Sequence, residues 1–175
     1  YIIIFIVVQI FLTYAGAGIW AAVKGEGYQA TLFAMRTGNN AILTALTTVF
    51  SNVITLIIFL KAKWTPLTRN YLQSKPWISL LWVALFTLGA IIPLEFVYEQ
   101  IGVEMDADTE RVFASLMKEP WGYVAIGILA PLAEEIVFRG AILRTLLDMV
   151  SKKNHWVAIF ISAAAFGLIH GNKAQ

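Results

Sequence analysis

The chain has 175 residues, 59% of them hydrophobic and 13% aromatic, with 13 Lys and Arg against 11 Asp and Glu. Charged side chains make up 14%, about half the usual share, and with a mean hydropathy of +0.72 there is too little polar surface for a water-facing globule. Disorder, a nucleic-acid-binding arm and an ordinary soluble domain are thereby excluded, and the absence of cysteine removes disulfides, thiol nucleophiles and thiolate metal sites together. The composition implies an all-α, polytopic membrane helix bundle, with the lipid bilayer as its solvent and no nucleic-acid partner.

A helix rising about 1.5 Å per residue needs roughly 20 apolar residues to cross the hydrocarbon core. Tyr1 to Val23 carries no charge and is the first expected span. It is too long for a signal-peptide core and has no small-residue cleavage context, so it is expected to be retained, in a chain whose start at Tyr1 reads as an excerpt or processed product. The second span is Thr37 to Leu60, between Arg36 and Lys61. Within it Thr44, Thr48, Ser51 and Thr55 recur at helical spacing with Asn52 beside them, a polar stripe expected to face other helices. Pro76 to Leu94, between Lys75 and Glu95, is the third. In the acidic loop that follows, Val112, Phe113, Leu116 and Met117 form an apolar face that predicts a short helix at the interface.

The fourth run, Pro120 to Ala133, holds 14 uncharged residues, about 21 Å of helix, and lengthening it to about Gly140 takes in Glu134, Glu135 and Arg139. Asn154 to Asn172, with two histidines, is the fifth. His155, among Lys152, Lys153 and Trp156, is expected at the membrane surface with no catalytic role. Residues 1–119 thus read as three spans and an external loop, and 120–175 as the part that carries chemistry. The loop after span two is basic (Lys61, Lys63, Arg69, Lys75) and the loop after span three acidic (Glu99, Glu104, Asp106, Asp108, Glu110, Glu119). Arg139, Arg144, Lys152 and Lys153 make the next one basic again. That alternation puts the acidic loop outside and Glu134 with Glu135 toward the cytoplasmic end of the fourth helix.

An ionisable side chain in hydrocarbon costs about 2.5–3.5 kcal/mol on insertion scales, so two adjacent glutamates in one span need a reason. Glu135 and Arg139 are four residues apart, the spacing at which carboxylate and guanidinium pair on a helix, whereas Glu134 lies about 140° from Arg139 around the axis. Glu134 is therefore the carboxylate open to chemistry. Pro131 cannot donate to the carbonyl of Gly127, and a bend or a new helical segment is expected there, with both glutamates near its N-terminus. His170 lies one turn after Phe166 on the fifth run, between Gly167 and Gly171, small residues that let helices approach closely. A structural ion pair and an interhelical histidine hydrogen bond are the competing readings.

Routes to hydrolysis can be removed one by one. There is no cysteine and no Gly-x-Ser-x-Gly, no His-Glu-x-x-His occurs, and Asp106, Asp108 and Asp148 lie in loops or at an interface. A glutamate–histidine site remains, in which Glu134 deprotonates a water that attacks a carbonyl and a neutral imidazole of His170 orients water or steadies an oxyanion.

The run Ala130-Pro131-Leu132-Ala133-Glu134-Glu135-Ile136-Val137-Phe138-Arg139-Gly140 resembles the Glu-Glu-x-x-x-Arg motif of the CPBP (CAAX protease and bacteriocin-processing, or Abi) intramembrane protease family. Phe166-Gly167-Leu168-Ile169-His170-Gly171-Asn172 resembles its second motif, Phe-x-x-x-His. The likeness covers about Trp121 to Gln175. It implies a helical membrane endopeptidase acting near the cytoplasmic face on peptide or prenylated (CAAX-type) protein substrates. Glu134 would then be the base, His170 its partner, and Glu135 with Arg139 the support. The family's metalloprotease label implies a metal such as zinc, held by Glu134 and His170, while the same residues suit metal-free hydrolysis about equally; a zinc site usually takes three protein ligands. The family's third motif, a later His followed four residues on by Asn or Asp, is missing from a sequence that ends at Gln175, so this stretch alone cannot complete the site; a later span carrying it would favour the protease, its absence a non-catalytic module. A non-catalytic bacteriocin-immunity or scaffolding protein of the same family is the main alternative, and an ion relay through Glu134 and His170 a third.

Overall fold

Three of the uncharged runs become long helices. In the computed structural model, which describes residues 1–65, 77–102 and 106–170, α1 (Ile2–Lys24) ends at the left-handed Gly25. α3 (Ala41–Lys61) starts later than the charge-free run because Asn40 caps it, its side-chain oxygen accepting from the Leu43 N–H at 3.2 Å. α4 (Trp77–Ile101) runs past the expected end at Leu94, through Pro93, Glu95 and Glu99, and stops at Gly102. Charge marks where a helix leaves the apolar core, not where its backbone hydrogen bonding ends, and that is why the boundary moved. α1, α3 and α4 are each long and apolar enough to cross a membrane. No strand occurs among the described residues. Arg69, Lys75, Pro76, Glu104, Gly171 and Asn172, which the sequence reading used, lie outside the described residues.

Two shorter helices complete the N-terminal part. α2 (Tyr28–Arg36) occupies the link between the first two spans, where the hydropathy pattern gave no helix. α5 (Ala107–Leu116) is the short helix expected in the acidic loop, with Leu116 buried and Val112 and Phe113 half-buried.

The fourth run becomes one long helix, α6, over residues 120–149. It keeps right-handed helical backbone angles at every internal junction, but its hydrogen bonding changes register: π-helical at Tyr123–Leu129, α-helical at Ala130–Glu134, π-helical again at Glu135–Leu143. Pro131 accordingly does not break the chain. The wider π turn carries the hydrogen bonding past the missing N–H, the Ala130 N–H reaching back to the Ala125 carbonyl. The expected N-terminus at the glutamates is therefore corrected: both carboxylates stand inside a continuous helix. α7 (His155–His170) follows a single 3-10 turn and spans 16 residues.

Two compact units result, one of Tyr1–Pro66 with Ala107–Ile169 and one of Leu67–Asp106 with His170–Gln175. In the second, α4 has no buried residue, as suits a helix with lipid around it. In the first, α1 and α3 lie antiparallel. Tyr1 packs on Phe59 and Trp64, Gln9 bonds with Ser51 and Asn52, and Gly16 meets Thr47. The polar stripe of α3 thus faces the interior, as its spacing predicted. α6 runs alongside α3 in the same direction: Gly122 abuts Leu116 near one end, where the Gly38 backbone also meets that of Arg111, and Thr65 reaches Ile136 and Gly140 at the other. One end of this unit therefore gathers Tyr1, Lys61, Thr65 and Thr145, and the opposite end α2, α5 and the start of α6.

Candidate active site

The Glu134 segment is held from behind. Val137, Phe138, Ala141 and Ile142 of α6 join Phe5 of α1 and Phe59 of α3 in one buried cluster, with Trp64, Phe166 and Ile169 packed against it. Burying an aromatic or aliphatic side chain of this size stabilises by about 1.5–3 kcal/mol each, so the rear face of the π segment fixes how α6 is rotated.

Two hydroxyls add direction to that packing. Thr65 Oγ1 donates to the Ile136 carbonyl at 2.8 Å, and Ser162 Oγ of α7 donates to the Phe138 carbonyl at 3.4 Å. Thr65 sits so close to Gly140 that any side chain there would collide with it. Sequence reasoning missed Thr65. Its role exists only through a residue far along the chain, and the one trace of it was a glycine inside the motif.

Glu135 and Arg139 lie on the other side of α6 and are exposed; Arg139 Nη1 donates to Glu135 Oε1, the pairing read from their spacing. Glu134 is half-buried, beside the fully buried Ala133. Arg139 thus takes Glu135, the partner its spacing predicted, while Glu134 stands half-buried.

The two motif segments touch through their phenylalanines. Phe166 of α7 stands edge-on to Phe138 of α6, ring centres 5.0 Å apart at 89°, a favoured aromatic geometry. Ser162, one turn earlier on α7, bonds the backbone of the same Phe138. His170, one turn after Phe166, is half-buried, closes α7 and belongs to the second compact unit. His155 is half-buried at the start of α7, away from the motifs.

Residues 116–175 match the family described as type II CAAX prenyl endopeptidase Rce1-like. That stretch begins at the buried Leu116 of α5 and takes in α6 and α7, so both motifs lie in it, and the resemblance to the CAAX protease family seen in the sequence is borne out. The chain is also similar to the Bacillus subtilis (strain 168) protein named "Putative membrane peptidase YdiL", 26% identical over 126 residues, which are 69% of this chain and 50% of the relative. It spans about half the length of that relative. No solved structure matches.

Among the described residues no three His, Cys, Asp or Glu side chains gather as a metal site, and a catalytic zinc usually takes three protein ligands. Glu134 and His170, the two donors the sequence offers, fall one short of that set and do not by themselves fit zinc.

Proposed function

We propose that this chain is the motif-bearing part of an intramembrane endopeptidase that hydrolyses peptide bonds of membrane-associated or prenylated, CAAX-type substrates. The supporting observation is the Phe138–Phe166 contact, which docks the helix bearing the Glu-Glu-x-x-x-Arg motif on the helix bearing Phe-x-x-x-His within a stretch that matches the Rce1-like family.

In this reading Glu134 takes a proton from water as the water oxygen attacks the scissile carbonyl carbon. His170 donates a hydrogen bond to the developing oxyanion. Glu134 then returns the proton to the departing amine as the C–N bond breaks, leaving a carboxylic acid and an amine, which settle as carboxylate and ammonium. Glu135 and Arg139 support the helix by neutralising each other next to lipid. The basic residues Lys61, Lys63 and Arg144 fall toward the end of the first unit that also holds the motif, and the acidic α5 lies at the other; excess Lys and Arg on cytoplasmic loops would put the reaction near the cytoplasmic face.

The test is Glu134→Gln in the full-length protein, which keeps size and removes the base. Cleavage of a prenylated CAAX peptide should be lost while membrane insertion and abundance hold. Undiminished cleavage by that variant contradicts the reading.

A further inference from the structure

α3 carries four threonines, and three of them bond to their own helix. Thr44 Oγ1 donates to the Asn40 carbonyl at 3.0 Å, Thr47 to Leu43 at 2.9 Å and Thr48 to Thr44 at 2.8 Å. Thr55 departs from this pattern: its hydroxyl is buried, at 1% exposure, and has no hydrogen-bond partner among the described residues. A helical threonine has the carbonyl one turn back at hand, so a buried hydroxyl that bonds neither it nor any other described group calls for an explanation.

Its neighbours are polar too. Ser51 and Asn52, on the preceding turn, are 1% and 3% exposed, and Gln9 of α1 reaches both: its Nε2 donates to Asn52 Oδ1 at 3.1 Å and its Oε1 accepts from Ser51 Oγ at 2.6 Å. This cluster of amide and hydroxyl groups lies within two apolar spans, where each polar group is costly unless satisfied. Its depth is also informative. Phe59, one turn beyond Thr55, shares the core cluster with Val137 and Phe138, and Glu134 is one turn before Phe138. Because α3 and α6 run in the same direction and α3 packs along Ala130–Glu134, Thr55 and Glu134 stand at the same level of the first unit.

We propose that Gln9, Ser51, Asn52 and Thr55 form a water-binding site in the helix interior that supplies and orients the nucleophilic water for Glu134, with Thr55 as a positioning residue. A buried water takes two to four hydrogen bonds from polar groups of this kind. The inference rests on the role proposed for Glu134. It explains why a transmembrane helix keeps a hydroxyl with no hydrogen-bond partner among the described residues, at the depth of the carboxylate.

The experiment compares Thr55→Val, which keeps shape and removes the hydroxyl, with Thr55→Ser and Glu134→Gln in the full-length protein in lipid nanodiscs. Thr55→Val should lower kcat by roughly 10- to 100-fold with KM unchanged and without raising the thermal midpoint; Thr55→Ser should restore kcat. Thr55→Ala against Thr55→Ser carries the same comparison with smaller side chains. A raised midpoint in Thr55→Val means a dry hydroxyl and overturns the site. Parental turnover in Thr55→Val, with Glu134→Gln inactive, overturns it as well and leaves the peptidase reading standing. Parental turnover in Glu134→Gln overturns the peptidase reading, and the midpoint of Thr55→Val then decides the water site without reference to activity.

Discussion

Glu135 and Arg139 form a pair whose worth depends on the medium. Both side chains are more than half exposed on the chain, a setting that in water gives a weak interaction, yet on a helix in lipid an unmatched guanidinium or carboxylate is expensive. Removing one partner should therefore hurt more than removing both. Arg139→Ala is expected to lower the folded yield in the membrane fraction, and Glu135→Gln with Arg139→Gln to recover it. Normal abundance of the single variant counts against the pairing. At this scale the sequence was informative: the four-residue spacing was enough to find the pair and to separate Glu134 from it.

The helix that carries these residues was less legible. Hydropathy located its apolar start at Pro120 and its charged middle, but the π-helical stretches on either side of Ala130–Glu134 leave no hydropathy signal, since they differ from α-helix in hydrogen-bond register rather than in which residues face the core. Pro131 was the only hint, and it pointed to a break where the helix instead widens. The docking of α6 on Thr65 was equally hidden. It makes Gly140 a packing residue, because nothing larger than hydrogen fits against the Thr65 side chain. Gly140→Val should lower the thermal midpoint, with overpacking of about 1–3 kcal/mol, and Thr65→Ala in the same chain should recover part of the loss. An unchanged midpoint in Gly140→Val would show that α6 does not seat on Thr65 in this way.

For the molecule as a whole, the uncharged runs were a good guide to the long helices and a poor guide to the links between them. α2 escaped because Lys24, Glu26 and Arg36 interrupt the apolar pattern, although its Leu32 and Met35 are buried. The loop-charge alternation is consistent with the packing of the first unit: α5 sits by the start of α3, while Thr65 and Gly140 meet at the far end. Which end faces the cytoplasm is open to a direct measurement, helped by a sequence that contains no cysteine. Lys63→Cys should react with a membrane-impermeant maleimide only from the cytoplasmic side, and Glu119→Cys only from the opposite one. The reverse labelling would invert the topology.

Water activated by Glu134 is the nucleophile of the proposed reaction. A single turnover of the full-length protein in water enriched with oxygen-18 tests this most directly. One heavy oxygen should appear in the new carboxylate of the cleaved peptide, with Glu134 unlabelled by mass spectrometry. Heavy oxygen in Glu134, with none in the product of that first turnover, would mean that the carboxylate itself attacks, and would contradict the mechanism.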